Sequence, residues 1–489
     1  VDTWSGTANL NTTGVYTLNN VANGTGYKYD NGVESYGGAA WHWSTNKILQ
    51  VAYDADTGKM WIGEENTWYS SGNPSTGANP FFTVSAANRG NLIPAFSGYD
   101  AATKQYVNFG QDSSFAGQKT AQGNTDTSDN ASDFYYTPPT DFLALNVKNL
   151  PDVAVVPSEH FNTVLFTGNG STQTVTGTGF QPDWVWNKSR NTTHGHALFD
   201  AVRGGTRRLA SESTQEERTN EGNIAFTSDG FNVTASHPTV NNNNSPMVSW
   251  NWKANGSGSS NTDGTITSTV SANVDAGFSI VGYTGNNVAG ATIGHGLSAK
   301  PDLIIVKIRP DNYTGRVYNS ISGATKYLDW ASTATLGTYQ HMWNNTEPTN
   351  EVFSVGHDIT VGGYPIRTFI AYCFHSVDGY SKVGSYTGNG NADGTFVYTG
   401  FRPAYILYKS TDNVTHWAIH NNKSNPFNVA DTELHANETA AEASAAEYKI
   451  DILSNGFKQR NTNGTNNGNG YNYVYIAFAE SPFKYSNAR

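Results

Sequence analysis

Past residue 160 the chain repeats one pattern three times, and this repetition constrains its fold more than any other feature. The first copy opens at Phe166-Thr-Gly-Asn-Gly170 and reaches Gly179-Phe-Gln-Pro-Asp-Trp-Val-Trp-Asn-Lys188. The second opens at Tyr283-Thr-Gly-Asn286 and reaches Lys300-Pro-Asp-Leu-Ile-Ile-Val-Lys307. The third opens at Tyr386-Thr-Gly-Asn-Gly390 and reaches Gly400-Phe-Arg-Pro-Ala-Tyr-Ile-Leu-Tyr-Lys409. From the Thr to the Lys the offsets are 21, 23 and 22 residues. Each copy also closes alike, at Val248-Ser-Trp250, Ile370-Ala-Tyr372 and Ile476-Ala-Phe478. Two copies carry a late turn cue, Ser228-Asp-Gly-Phe231 and Ser454-Asn-Gly-Phe457.

The physics of the pattern is that of strands. An aromatic followed by Thr-Gly-Asn ends one strand in a turn, and a Pro enters the next, where its missing N–H is tolerated. The mostly apolar run that follows suits a strand buried on both faces. Copies of about 100 residues are expected to form one sandwich apiece rather than solenoid rungs. The expected boundaries are 158–256, 273–378 and 379–489, after a first unit at 1–147. Asn255-Gly-Ser-Gly-Ser-Ser-Asn261 reads as a flexible linker between copies one and two. Glu438-Thr-Ala-Ala-Glu-Ala-Ser-Ala-Ala-Glu447 is the one helical pattern, expected to cover an edge of the third sandwich.

Composition agrees with an all-β array. Aromatic residues reach 13% while charged residues are 14%, and Gly is abundant at 50, which favours short strands joined by turns over helical layers. The net charge of -11 and the absence of a basic block argue against nucleic-acid binding. No apolar run approaches the length of a membrane span. The single cysteine, Cys373, lies in Thr368-Phe-Ile-Ala-Tyr-Cys-Phe374 and reads as a buried core thiol.

Residues 1–147 contain Lys47–Tyr53, a turn at Asp54-Ala-Asp-Thr-Gly58, and Lys59-Met-Trp-Ile-Gly63, which predicts a hairpin. Gln105-Tyr-Val-Asn-Phe-Gly110 predicts another strand. The segments Tyr27–Gly32, Val51–Gly63, Thr67–Pro74, Ile93–Ala95, Val107–Gly110 and Tyr136–Pro139 resemble a SPRY domain, a concanavalin-like sandwich, of the kind found in tailed-phage proteins. The three repeats resemble an uncharacterised domain that follows such units in marine phage virion proteins. That likeness rests on Gly179–Trp186 and on Ala197-Leu-Phe-Asp-Ala-Val-Arg-Gly-Gly-Thr-Arg-Arg-Leu209. The resemblance implies a fibre, tail or capsid-surface role outside the cell. The 26 residues before Tyr27 are too few for the strands that open a SPRY sandwich. Upstream residues, a neighbouring subunit or a virion partner are therefore expected to complete it.

Asp54, Asp56 and Glu65 mimic parts of a calcium loop, but such a loop would consume the strand at Lys59–Ile62, so a hairpin turn is expected. The Asp-rich run Asn124–Asp133 reads as a solvated loop. His194 and His196 alternate as two metal ligands might, with no third placed by spacing; His237, His295 and His341 are scattered. Glu64 and Glu65 point to opposite faces of a strand and form no acid–base pair. Neither a nucleophile elbow nor a phosphate loop occurs. No enzyme activity, cofactor or metal is implied. Stacking on sugars points instead to Trp41, Trp43, Trp68 and Tyr69 near turns, and to Tyr471 and Tyr473, which alternate with Tyr475. The expected function is phage host attachment through a cell-surface polysaccharide. A decoration protein concerned with assembly alone is the alternative, and a polysaccharide depolymerase is disfavoured. Expected partners are other virion proteins and further copies of the chain, as a homotrimer that buries interfaces and covers edges.

Overall fold

In a computed structural model the chain is all-β and divides into two compact units, residues 1–151 and 152–489. The structure describes residues 16–21, 25–31, 33–38, 46–89, 92, 94, 104–127, 132–145, 149, 154–235, 237–363 and 366–482.

Among the described residues the first unit holds two small sheets. Tyr16–Val21, Thr25–Asp30 and Val33–Gly38 form an antiparallel meander. Leu49–Asp54 and Lys59–Glu64 form the expected hairpin, joined by Thr67–Trp68 and Phe82–Thr83. Gly58 takes φ +77°, and a Cβ there would lie 2.4 Å from the Val84 carbonyl oxygen, so the turn requires glycine. Ile62, Phe81 and Phe82 make the local core, with Tyr16, Leu18, Met60 and Tyr69 against it. The strand expected at 105–110 is absent. Asn108 Oδ1 accepts the N–H groups of Gly110, Gln111 and Asp112, and this side-chain turn outcompetes the strand.

In the second unit all three copies build the same main sheet. The first strand of each, Phe161–Thr167, Phe278–Thr284 or Ser381–Thr387, pairs with the closing strand, Pro246–Trp252, Thr368–Phe374 or Asn472–Pro482. The closing strand pairs next with the strand entered by Pro, Trp184–Ser189, Leu303–Ile308 or Phe401–Ser410. A fourth strand follows, Ala197–Asp200, Arg316–Asn319 or Ala418–Asn421. A second, smaller sheet lies with each copy: 173–176, 224–227 and 230–233; 291–294 and 352–355; 396–398, 450–453 and 456–459. The turn cue in copies one and three has a packing cause. A Cβ on Gly230 or Gly456 would lie 2.0 Å from the carbonyl oxygen of Val175 or Val397 on the paired strand.

Alternate residues of the main sheets enter different cores. Val185, Ala197 and Phe199 pack within copy one, Ile304, Val306 and Cys373 within copy two, and Ile406, Tyr408 and Tyr475 within copy three. The intervening residues, Trp184, Trp186, Trp250 and Trp252, then Leu303, Ile305 and Tyr372, then Tyr405, Leu407 and Phe478, meet in one central core. Trp184 stacks on Tyr372 at 4.3 Å, Phe161 on Phe478 at 5.1 Å, and Phe374 meets Phe478 edge-on at 5.8 Å. The apolar runs therefore form strands buried on both faces.

The lysines that close each repeat motif end the inward-facing rows and close a ring. Lys307 of copy two donates to the Thr214 carbonyl of copy one, at 2.9 Å. Lys188 of copy one donates to Thr439 of copy three, at 3.1 Å. Lys409 of copy three donates to Thr333 of copy two, at 3.3 Å. Three residues past each Thr a backbone N–H reaches the same neighbour: Glu217 to Arg309, Glu442 to Arg190 and Leu336 to Thr411. Each copy thus grips the next in cyclic order.

Two sequence expectations fail at these joints. Glu438–Glu447 is not a helix, since its N–H and carbonyl groups are spent on copy one through Lys188 and Arg190. It contains only a two-residue strand, Ala443–Ser444, and a single 3-10 turn. The linker at 255–261 is in part a strand, Ser259–Asn261, which extends the main sheet of copy two beside Ser268–Asn273. Polar Gly/Ser composition does not keep a segment flexible when a sheet edge offers its backbone partners.

Candidate functional site

A dense gathering of titratable side chains lies in copy three, where Thr432–His435 pairs with Ala418 and Ile419. Alternation sends Leu434 into the central core and Glu433 and His435 to the other face. Glu433 is fully buried. One carboxylate oxygen accepts from the Tyr408 hydroxyl at 2.8 Å and meets His420 Nε2 at 3.0 Å. The other meets His435 Nε2 at 2.8 Å. Burial alone would raise its pKa, but the two imidazoles bring it down to about 2, so the group is a carboxylate. Burial pulls the His435 pKa down, yet Glu433 and Glu438 outweigh it and the net shift is upward.

The other nitrogen of His435, Nδ1, touches Glu438 Oε1. The His416 ring stacks on His435 at 4.3 Å and 4°. His416 Nδ1 lies 3.8 Å from Glu438 Oε1 and 3.2 Å from Asn437 Nδ2. Partial burial and the neighbouring His435 lower the His416 pKa. Asn437 in turn accepts the Trp417 N–H at 2.8 Å, which fixes the loop beside the strand. His196 of copy one bonds the His435 carbonyl at 3.0 Å. One nitrogen or oxygen atom from each of His416, His435 and Glu438 lies within 4.8 Å of the others, all half-buried. Two imidazoles and a carboxylate are a donor set for a divalent metal.

The alternation of His194 and His196 in sequence does not lead to these residues. The signal was present as His416-Trp-Ala-Ile-His420 followed by Glu433-Leu-His435-Ala-Asn-Glu438. His194 and His196 do not share a strand, which begins only at Ala197. His196 is fully buried and occupied: Trp186 Nε1 donates to its Nδ1 at 2.8 Å, and its Nε2 bonds His435.

The aromatic candidates fare unequally. Trp41 and Trp43 lie outside the described residues. Trp68 and Tyr69 are half-buried; the Tyr69 ring leans on Phe81 at 5.9 Å, and burial pushes its hydroxyl up to about 12. Tyr471 is 37% exposed. Tyr473 is fully buried, stacked on Tyr386 at 4.8 Å with its hydroxyl donating to the Gly464 carbonyl, so neither ring face is left for a sugar. Tyr475 is a core residue as well.

The acidic candidates of the first unit act locally. Asp54 Oδ1 accepts from the N–H groups of Asp56 and Thr57, and Glu65 bonds the Ile48 N–H and pairs with Lys47. Asp126 is buried and bonds Ala144 and Asn149.

Residues 156–482 match the profile of a domain of unknown function, DUF7483. This span is well over half of the chain, and the chain belongs to that family. The match spans all three copies. No curated protein and no solved structure matches the chain.

Proposed function

We propose that this chain is a non-catalytic structural protein of a particle surface, a phage virion by the resemblance of its parts, in which the three copies act as one rigid body. The cyclic lysine grip carries this reading, because buried lysine ammonium groups bonded to the neighbour's main-chain carbonyls, with a backbone hydrogen bond beside each, lock each copy to the next. The large aromatic residues are committed to the same end: Trp184, Trp186, Trp250 and Trp252 fill the shared core. Assembly with other virion proteins and association of three chains belong to this reading.

Attachment to a cell-surface glycan is the second reading, favoured by the exposure of Tyr471 and the partial exposure of Trp68. One set of measurements on the full chain separates the possibilities. The assembly reading expects a trimer's mass by light scattering at micromolar concentration, no ligand on a glycan array, and no reducing ends released from polysaccharide. A monomer removes the trimer. Glycan hits lost in Tyr471→Ala or Trp68→Ala move the function to attachment. Reducing-end release abolished by a carboxylate substitution overturns both readings.

A further inference from the structure

We propose that His416, His435 and Glu438 form a binding site for a divalent transition metal of the zinc type, with Glu433 as the carboxylate that orients His435. The donor atoms assigned are His416 Nδ1, His435 Nδ1 and Glu438 Oε1, the two nitrogens facing the same carboxylate oxygen, and one donor atom of each residue lies within 4.8 Å of the others. A tetrahedral zinc bound at about 2.0–2.2 Å needs its ligand atoms roughly 3.4 Å apart. The 3.8 Å between His416 and Glu438 is close to that spacing. The stacked rings are parallel, so metal binding requires a turn of one imidazole to make the lone pairs converge. His416, with its side chain 35% exposed, has the room to make it.

The independent observation is the wiring behind His435. A ligating histidine characteristically donates its second N–H to a carboxylate, which sets the tautomer and aims the free nitrogen at the metal. Glu433 occupies that place at 2.8 Å from Nε2. It is itself completely buried and held by Tyr408 and His420. With Nε2 protonated toward Glu433, Nδ1 presents its lone pair to the side where Glu438 and His416 stand. Three protein ligands leave a fourth position for water. The nitrogen-rich set favours zinc, nickel or copper over calcium or magnesium, which take oxygen ligands.

The test is isothermal titration of the full chain, free of any histidine tag, with zinc ion, alongside the visible absorption of the cobalt-loaded protein. One zinc per chain is expected, with a tetrahedral cobalt spectrum. His416→Ala and Glu438→Gln change partly exposed groups and are expected to keep the far-ultraviolet circular dichroism of the parent while losing at least tenfold in affinity. Glu433→Gln is expected to weaken zinc by about 10–100-fold, the cost of losing an orienting carboxylate. His341→Ala, outside the cluster, is expected to bind as the parent does. Absence of zinc binding tighter than about 100 μM overturns the proposal, and so does binding that survives both His416→Ala and Glu438→Gln. If Glu433→Gln fails to fold, those two variants decide the matter alone.

Discussion

A buried ammonium is costly unless hydrogen bonds replace its water, and this chain buries three at equivalent places. Apart from the Thr415 hydroxyl beside Lys409, the acceptors of Lys188, Lys307 and Lys409 are backbone carbonyls. Burial lowers the pKa of each from 10.5 to about 8. The sign of the consequence follows from proton counting. Between pH 8 and 10.5 the unfolded chain holds protons that the folded chain has released, so stability rises with pH in that window. Ionisation of cysteine and tyrosine in the unfolded chain opposes the rise at its upper end. Between pH 8 and 9 the urea midpoint is expected to increase, by on the order of 1 kcal/mol in stability. The same measurement on a Lys188→Met, Lys307→Met, Lys409→Met chain should show no rise, only the slight fall that cysteine and tyrosine ionisation in the unfolded chain produces. A parent midpoint that falls or stays level across that range refutes the assignment.

At the scale of elements the informative parts are the straps that follow Thr214, Thr333 and Thr439. Two carry a carboxylate onto the neighbour's arginine, Glu217 to Arg309 and Glu442 to Arg190, and the third has Leu336 at that place. The pairs are not equivalent. Glu217 also meets Arg203 at 3.2 Å, whose side chain is fully buried and bonded to Asp200 and, at 3.3 Å, to the Tyr372 hydroxyl. Glu217→Leu therefore strands part of a buried guanidinium and is expected to cost about 3 kcal/mol. Glu442→Leu copies the third joint and is expected to cost under about 1 kcal/mol. Equal losses in chemical denaturation would contradict this account of the joints.

The same straps show what was legible beforehand. The mostly apolar runs, the Pro-entered strands and the closing strands could be read because each reflects a local rule about turns and two-sided burial. The Ala/Glu run at 438–447 reads as helix because propensity counts only neighbours in sequence, while its hydrogen bonds go to residues some 250 positions away. The lysines marked the repeat, but no local rule tells that they reach across copies. His435 and Glu433 were readable as alternate residues on one strand face; His416 joins them only through sheet pairing. Tyr473 misleads for a similar reason, since alternation says which residues share a face and not whether that face is wet.

For the whole molecule, three copies around one core bury the inward apolar faces of their main sheets within residues 152–489. A single copy would expose the inward face that holds Trp184, Trp186, Trp250 and Trp252 in copy one, and that face is too large to leave in water. The family domain spans all three copies, which fits a unit that folds only as a whole. The most direct test is native-state hydrogen exchange of the full chain with and without Trp250→Ala, a loss of about 3–5 kcal/mol for a buried tryptophan. If the core is shared, the slowest amides of the closing strands 246–252, 368–374 and 472–482 lose protection together and by the same free energy. Loss confined to 246–252, with the other two strands as protected as before, would show three independent sandwiches and contradict the account.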